Sequence, residues 1–283
     1  NARNSLSLLL QKKKMNSIDT YNFQGKRALV RVDFNVPLDK ETMAVTDDKR
    51  IRAALPTIQY ILNQGGSVIL LSHFGRPKEG PEEKFSLKHI LKSVEKNIGQ
   101  AVKFASDCIG QDAIDQSKDL KSGEVLLLEN VRFYSEETKG DLGFAEKLAA
   151  LGDCYVNDAF GAAHRSHASI VGPPRTLPSA AGRLLEREVE ILSSLRDSPK
   201  RPFVAVLGGA KVSDKIGVIE ALLKVVDSLV IGGGMCFTFL AAQGYPVGDS
   251  ICERDQIETC KKLLAGSVPI HLPEDINGLD AQG

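Results

Sequence analysis

The chain has 283 residues, of which 42% are hydrophobic and 25% charged, as in a globular protein of one or two domains. Its 36 Lys and Arg residues balance 36 Asp and Glu residues, so the formal net charge is zero. A general binder of nucleic acid or membrane surfaces would carry a basic excess, and we therefore expect neither partner. Any strongly basic site must be local.

The five cysteines show neither a C-x-x-C pair nor a spacing typical of metal ligands. We interpret them as free thiols of a reducing compartment and expect a cytoplasmic protein. No apolar run is long enough to span a bilayer. Residues 1–14 carry three lysines after a leucine run, and we interpret them as a leader that is not native to the protein, with Met15 as the start.

Strand-like and helix-like segments alternate from Lys26 to Phe160. The first predicted helix contains Pro56, which indicates either a kink or a later start. Alternation of this kind is typical of a parallel sheet that helices cover on both faces. The predicted strands are 27–36, 67–71, 101–105, 124–131 and 154–160, and the predicted helices are 48–63, 86–98 and 141–151.

Residues 161–182 are rich in glycine and proline, and we predict that they form a loop region. A helical segment at 185–196 follows and ends at Ser198-Pro199. A helix that lies between two alternating regions is a natural domain connector. We therefore predict three parts, namely a first domain at 15–182, a connecting helix or hinge at 183–200 and a second domain at 201–283.

The second domain has fewer strand-like segments than the first. Its strands are predicted at 203–207, 228–231 and 268–272, and its helices from Ser213, at 235–243 and at 253–265. Three parallel strands would leave an apolar edge and face uncovered, so we interpret this domain as incomplete. The predicted fold class is α/β, with two Rossmann-like parallel-sheet domains that a helix joins.

Charged and polar side chains follow four of the strands predicted for the first domain. Ligands of open parallel sheets bind beyond the carboxyl ends of the strands, and arginine suits bidentate recognition of phosphate and carboxylate. Each residue alone could be a rim charge, a turn former or a buried histidine. Their convergence predicts one positive pocket for a small, multiply charged anion. The residues are Asp33, Asn35, Arg50, His73, Arg76, Asn130, Arg132, Asn157, Asp158, His164 and Arg165.

In the second domain, Gly208-Gly209 and Gly232-Gly233-Gly234 each follow a strand, and Lys211 and Lys215 stand beside the first turn. Glycine lets a phosphate approach the backbone, and the start of a helix offers N–H groups. Tight packing is the equally open alternative. A basic pocket in one domain and a phosphate-binding turn in the other predict phosphoryl transfer, with closure about a hinge.

Eight segments resemble the phosphoglycerate kinase family and occur in the family's order. The resemblance implies reversible transfer of a phosphoryl group from 1,3-bisphosphoglycerate to ADP, giving 3-phosphoglycerate and ATP, in glycolysis. It also implies Mg²⁺ with the nucleotide and a monomeric protein. The segments are RVDFNVP (31–37), RIRAALPTI (50–58), SHFGRP (72–77), LLLENVRF (126–133), YVNDAFGAAHRSHAS (155–169), LPSAAG (177–182), RPFVAVLGGAKVSDKI (201–216) and IGGGMCFTFL (231–240).

The matching motifs assign roles to particular residues. Arg50 and Lys215 are implied to be catalytic, the first facing the transferring phosphoryl group and the second contacting the nucleotide phosphates. Phosphoglycerate binding is implied for Asp33, Asn35, Arg50, His73, Arg76, Arg132 and Arg165. The nucleotide site is expected at Gly209, Ala210, Lys211, Lys215, Gly233 and Gly234.

The chain also departs from the family pattern. The W-N-G-P and G-G-G-D-[ST] segments of the family, which supply nucleotide and magnesium contacts, resemble nothing in these residues. We therefore expect the metal ligand to lie outside this chain, and the alternative function is a truncated, catalytically impaired phosphoglycerate-binding fragment. A nicotinamide dehydrogenase is disfavoured because D-F-N-V-P, not G-x-G-x-x-G, follows the first strand. Arg183 stands where the family often has an apolar residue, and Cys236 where it often has alanine.

Overall fold

The computed structural model describes residues 16–78 and 80–276, so the predicted leader and the last seven residues lie outside the described part. The chain forms two compact units, one up to Glu190 and one from Ile191 onward. This division lies within the helix Arg183–Asp197, which belongs to the segment predicted as the connector. The domain limits drawn from the sequence stay predictions.

The first unit contains a six-stranded sheet with the order β3-β4-β2-β1-β5-β6, in which every neighbouring pair is parallel. The order places the carboxyl ends of β4, β2, β1 and β5 side by side, which confirms the convergence predicted from the sequence. The strands are β1 (Arg27–Arg31), β2 (Ser67–Leu71), β3 (Lys103–Phe104), β4 (Val125–Leu127), β5 (Cys154–Asn157) and β6 (Ser179–Ala181).

Both faces of this sheet are buried. Ala28, Val30 and Leu70 belong to the core on one face, and Leu29 and Ile69 belong to the core on the other. Successive side chains of a strand point to opposite faces, so a strand that is buried on both sides needs a continuous apolar run. The segments RALV and SVILL satisfy that requirement.

Helices and short 3-10 turns connect the strands of the first unit. The helix Gln111–Lys118 and the short elements within 160–175 were not predicted, because their segments are short and polar or rich in glycine and proline. The α-helices are Lys49–Asn63, Leu91–Ile98, Gln111–Lys118, Ser135–Lys139, Leu142–Ala149, Phe160–Ala163 and Ala168–Val171, followed by Arg183–Asp197. The 3-10 turns are Ile18–Thr20, Glu83–Phe85, Leu87–Ile90, Val131–Phe133 and Pro173–Arg175.

The helix Lys49–Asn63 carries Arg50 in its first turn and runs through Pro56. A later start was one of the two possibilities predicted from Pro56, and it is wrong; the kink stays a prediction. Proline removes the hydrogen bond to the carbonyl four residues earlier, here Arg52. Both Pro56 and Arg52 are exposed, so water can satisfy that carbonyl at little cost.

Several strands end earlier than predicted, and one strand was missed. The strands predicted to end at residues 36, 131 and 160 end at Arg31, Leu127 and Asn157. The polar residues beyond these points leave the sheet and form the loops of the site. Strand β6 was predicted as loop because Ser179-Ala180-Ala181 contains no β-branched or aromatic residue, yet it pairs with β5.

The second unit contains a parallel three-stranded sheet with the order β7-β8-β9. Leu229 and Ile231 of the middle strand are buried, whereas Val206 of β7 is 78% exposed, so the predicted uncovered apolar face is present. No helix within the described residues is long and apolar enough to cross a membrane. The strands are β7 (Val204–Gly208), β8 (Ser228–Gly232) and β9 (Ile270–His271), and the helices are Ile216–Leu222, Cys236–Ala242 and Ile257–Leu264, the last preceded by the 3-10 turn Arg254–Gln256.

Candidate functional site

Arg50 and Asp33 form an ion pair at the carboxyl edge of the first sheet. The Nη1 atom of Arg50 lies 2.5 Å from Oδ2 of Asp33, and half of the Arg50 side chain is exposed. The other oxygen of Asp33 accepts a hydrogen bond from the N–H of Asn35. Asp33 therefore positions one edge of the Arg50 guanidinium, whose exposed part can bind an anion.

Asn35 and Arg132 hold the loop that follows β2. The Asn35 side-chain oxygen accepts a hydrogen bond from the N–H of Gly75 at 2.9 Å, and Arg132 Nη1 donates to the Gly75 carbonyl at 2.7 Å. Gly75 has φ +58°, and a Cβ at this position would lie 2.3 Å from the Phe85 ring. Only glycine fits this turn, which fixes Arg76 next to the ends of β2 and β4.

Asn130 has a structural function in the same loop. Its side-chain oxygen accepts hydrogen bonds from the N–H groups of Phe74 and Arg132, and its amide nitrogen donates to the carbonyls of Phe74 and Phe85. The side chain is fully buried. Three of these four contacts join the segment after β2 to the loop after β4, and the contact with Arg132 orders the loop after β4 itself.

Two cavities of about 380 Å³ each contain most of the predicted anion-binding residues. Arg76, Arg132 and Arg165 line the first cavity, and Asp33 and Arg50 line the second. Asn35 and His73 line neither. The predicted residues thus lie along the carboxyl edge of the sheet but line two cavities instead of the single pocket predicted, and their individual roles stay predictions.

His73 is nearly buried among arginines and is held neutral. Burial, followed by the charges of Arg31, Arg132, Arg165 and Arg50, lowers its pKa to about 2. His73 therefore adds no positive charge to the pocket at neutral pH, and the part of the sequence prediction that counted it among the charged groups is corrected. His164, the other histidine considered there, is exposed and lines neither cavity.

Arg132 lies partly buried among other arginines. Burial and the neighbouring Arg165 and Arg31 lower its pKa. Its Nε atom is buried and has no hydrogen-bond partner among the described residues. A buried donor without a partner is costly, and like charges held close together raise that cost. An anion bound in the first cavity would offset the repulsion between Arg132 and Arg165, which both line that cavity.

Asp158 was expected at a strand end, and the structure gives it a capping role. Its Oδ1 accepts hydrogen bonds from the N–H groups of Leu184 and Leu185, at 2.9 and 3.2 Å, at the start of the helix Arg183–Asp197. Burial raises the pKa of Asp158 to about 6, against the lowering effect of Thr57 and the two amides. Its Oδ2 has no hydrogen-bond partner within the described residues.

Replacing Asp158 by asparagine is expected to stabilise the protein at neutral pH. Because the native pKa of about 6 exceeds the ordinary 3.8, native Asp158 binds a proton between these values that the unfolded chain does not, and its ionisation above pH 6 costs stability. D158N keeps the capping oxygen and removes the charge. The free energy of unfolding at pH 7 should rise by about 1–3 kcal/mol, a gain that shrinks between pH 6 and 4.

Urea titrations of both proteins across this pH range measure the effect. Asp153→Asn is the matched control, and its effect on stability should have the opposite sign, because a hydrogen bond from Arg27 lowers the pKa of Asp153. That variant should lose stability at neutral pH, and the loss should disappear on acidification. A gain for D158N that does not change with pH would contradict the buried-charge explanation.

Arg183, which departs from the family pattern, anchors the first turn of the same helix. Its guanidinium forms two hydrogen bonds with the Asp19 carboxylate and lies 4.9 Å from the centre of the Tyr60 ring. Its backbone N–H donates to Thr57 Oγ1. The Arg183 side chain thus contributes an ion pair and a cation–π contact at the start of this helix.

The two glycine turns of the second unit pack against each other. Gly233 has φ +67°, and a Cβ there would lie 2.9 Å from the Gly209 carbonyl. The Met235 N–H donates to that same carbonyl. A Cβ on Gly209 would in turn lie 3.8 Å from Cε of Lys215. Tight packing therefore accounts for Gly233, and Lys215 lies over Gly209, where the prediction of a nucleotide site stays untested.

The predicted helix start at Ser213 is wrong, since the helix begins at Ile216. The N–H groups of Val212 and Ser213 donate to the Glu253 carboxylate, and so does the Ser213 hydroxyl. Nothing in the sequence indicated Glu253, because it lies about 40 residues away on another segment. The Glu253 carboxylate therefore accepts hydrogen bonds from two N–H groups that were predicted to be available for a phosphate.

Within the described residues, no three His, Cys, Asp or Glu side chains are grouped so that they could hold a metal ion. The expectation of magnesium stays a prediction. The fold and the site together define a class, namely α/β proteins of two units with parallel sheets and an arginine-rich cavity at adjacent strand ends.

Comparison with known sequences identifies the protein family within that class. The chain belongs to the phosphoglycerate kinase family, whose sequence profile matches residues 18–281. This confirms the resemblance on which the sequence analysis rested. Both the anion-site residues of the first unit and the glycine turns of the second lie within the matched range.

Individual relatives give the same result. A chloroplastic phosphoglycerate kinase of Volvox carteri is 51% identical over 270 residues, which cover 94% of this chain and 58% of that protein. The phosphoglycerate kinase of Prochlorococcus marinus (strain MIT 9312) is 51% identical over 272 residues, covering 94% and 67%. The solved phosphoglycerate kinase of Coxiella burnetii matches with a TM-score of 0.78 at 38% identity, covering 92% of this chain and 66% of that one.

The chain spans 58% to 67% of the length of these relatives.

Proposed function

We propose that the protein catalyses the reversible transfer of a phosphoryl group from 1,3-bisphosphoglycerate to ADP, giving 3-phosphoglycerate and ATP. The observation that carries this proposal is the set of four adjacent strand ends, where Arg50 pairs with Asp33 and three arginines line one cavity. Membership of the phosphoglycerate kinase family supports it. The family match includes both predicted sites, which favours the enzyme over the alternative of an impaired binding fragment.

In this proposal the first cavity binds the phosphate of phosphoglycerate. Arg76, Arg132 and Arg165 line this cavity and supply charge and bidentate donors for a phosphate. Asp33 and Asn35 shape the adjoining end of the site, with the uncharged His73 beside Asp33. The remaining part of the ligand, a carboxylate or an acyl phosphate, then extends toward Arg50.

Arg50 is proposed to stabilise the transferring phosphoryl group. The acceptor in the ATP-consuming direction is a carboxylate, which is already ionised near neutral pH, so no general base is needed. The chemistry then depends on positioning and on neutralising the spread negative charge of the transition state. Asp33 holds one edge of the Arg50 guanidinium and leaves its exposed part for that purpose.

Lys215 is proposed to contact the nucleotide phosphates, next to Gly209, Ala210, Lys211, Gly233 and Gly234. Its aliphatic stem lies over Gly209, which supports this placement. Mg²⁺ enters as part of the nucleotide substrate. We further propose a monomeric cytoplasmic protein that binds neither nucleic acid nor membranes, as its zero net charge suggests.

Titration calorimetry with 3-phosphoglycerate tests the first unit, and a coupled assay with MgATP tests turnover. We expect a micromolar to sub-millimolar dissociation constant that rises with salt, because screening weakens charge attraction. Binding without turnover would support the binding-fragment alternative. A folded protein that shows neither binding nor turnover would contradict the proposed function.

Replacing Arg165 by alanine should weaken 3-phosphoglycerate binding by about 10- to 100-fold, as the loss of a charge-assisted hydrogen bond implies. Arg175→Ala is the matched control, since Arg175 is exposed and lines neither of the two site cavities. The salt dependence of binding should decrease in Arg165→Ala only. Equal effects of the two substitutions would show that net charge, and not the pocket, determines binding.

A further inference from the structure

A buried chain of polar contacts leads from Glu137 to His73. The Glu137 carboxylate accepts hydrogen bonds from the N–H and the hydroxyl of Ser169, at 2.8 and 2.7 Å. The hydroxyl oxygen of Ser169 accepts from Arg31 Nε at 2.9 Å. Arg31 Nη2 lies 3.1 Å from Nδ1 of His73. Arg31, Ser169 and Glu137 are fully buried, and none was considered in the sequence analysis.

The direction of each hydrogen bond in this chain follows from the groups involved. Arginine has only donors, so its neighbours must accept. Ser169 has one hydroxyl proton, and because its oxygen faces Arg31, that proton goes to Glu137. Glu137 therefore sets the hydroxyl direction, and the hydroxyl oxygen in turn fixes the Arg31 guanidinium. A third contact, from Arg31 to the carbonyl of Val32, completes this fixation.

The same rule determines the proton position on His73. Its Nδ1 must accept from Arg31, so Nδ1 carries no proton. A neutral imidazole then carries its proton on Nε2. This Nε2 lies 3.9 Å from Oδ1 of Asp33, at the edge where Asp33 holds Arg50.

The surroundings of His73 keep the ring neutral. The cations near it are Arg31, Arg132, Arg165 and Arg50, and the acid near it is Asp33. Burial and the four cations outweigh Asp33, so the pKa of His73 falls to about 2. The imidazolium would in addition place an Nδ1 proton against Arg31, where two donors would face each other.

We propose that Glu137, Ser169 and Arg31 are positioning residues that fix His73 as the Nε2–H tautomer, so that the proton of His73 is directed toward Oδ1 of Asp33, the carboxylate that holds Arg50. A donor fixed in advance needs no reorganisation when the ligand binds. The opposite tautomer would turn a lone pair toward the negative charge of that carboxylate. The inference rests on the proposed function for its kinetic readout, but the tautomer is a property of the free protein.

Nitrogen-15 NMR of the histidine rings tests the tautomer directly. The full chain is labelled with ¹⁵N-histidine, and the His73 signals are assigned from the spectrum of His73→Gln. We expect an unprotonated Nδ1 and a protonated Nε2 at neutral pH, and the same pattern on acidification for as long as the fold persists. A protonated Nδ1, in either the other tautomer or the imidazolium, would overturn the proposal.

The Ser169→Ala variant tests the contacts behind His73. Without the hydroxyl, Arg31 loses its fixed acceptor, and we expect the Nδ1 signal of His73 to shift toward an average of the two tautomers. The Michaelis constant for 3-phosphoglycerate should rise by about tenfold, which is the effect expected when one hydrogen bond is lost. The salt dependence of this constant should stay unchanged, because no charge is removed. Ser169→Thr, which keeps the hydroxyl, should restore both, and the exposed Ser166→Ala is the control.

The outcomes separate this inference from the proposed function. If the free protein shows the Nε2–H tautomer and Ser169→Ala disturbs it, the positioning role stands even where no kinase activity is found. If the protein is an active kinase but the tautomer is unchanged in Ser169→Ala, only the positioning role is rejected. Glu137→Gln is the second variant, should Ser169→Ala fail to fold, and an unchanged tautomer there rejects the role equally.

Discussion

Arg50→Ala is expected to lower the turnover number by about 10²–10³-fold, the usual loss when one preorganised donor to a transition state is removed. The affinity for 3-phosphoglycerate should change much less. Arg50 is half exposed and one edge of its guanidinium is held by Asp33. In the proposed function its exposed part meets charge that develops only during transfer. Steady-state kinetics with MgATP and 3-phosphoglycerate provides the measurement.

Arg52→Ala is the control for this experiment. Arg52 lies on the same helix, is also half exposed and forms its own ion pair with Asp48. Its removal should leave both kinetic constants within a factor of about two, because exposed ion pairs contribute little. If Arg50→Ala raised the Michaelis constant as strongly as it lowered turnover, Arg50 would bind the ground state and the transition-state role would be rejected.

Arg31→Met is expected to lower the free energy of unfolding by about 3–5 kcal/mol. Methionine fills a similar volume but offers no donor. The Ser169 hydroxyl, the Val32 carbonyl and His73 Nδ1 would each lose a partner in a place that water does not reach. Urea denaturation followed by circular dichroism measures the change.

Arg27→Met provides the comparison, since Arg27 begins the same strand and its partner Asp153 lies near the surface. We expect a loss of about 1 kcal/mol or less, because solvent can replace the ion pair. Similar losses in the two variants would mean that the burial of Arg31 does not determine its contribution.

The sequence predicted the parts of the fold that depend on local pattern. Continuous apolar runs such as Ser67–Leu71 indicated buried parallel strands, and their order along the chain indicated where polar residues would gather. The positions of Asp33, Arg76, Arg132 and Arg165 at adjacent strand ends follow from that topology alone. No side-chain geometry was needed to predict that these residues gather there, and their binding of an anion stays a prediction.

Contacts between distant segments could not be predicted in this way. Arg31 sits in an apolar run and gives no local sign that Ser169, 138 residues away, accepts its hydrogen bond. The cap of Val212 by Glu253 and the cap of Leu184 by Asp158 are of the same kind. Each depends on which backbone N–H groups the fold leaves without partners, and only the assembled structure shows that.

The first turn of the helix Arg183–Asp197 is held to the first unit by several side-chain contacts. Thr57, Asp158 and the Asp19–Arg183 pair contact this turn, whereas Ile191, Leu192 and Leu195 further along are 46%, 47% and 37% exposed. Backbone amide hydrogens in a fraying segment exchange with solvent quickly, whereas amide hydrogens bound to a core exchange only when that core opens. We therefore expect the amides of the first turn to share the slow exchange of the six-stranded sheet, and the amides near Ile191 and Leu192 to exchange faster.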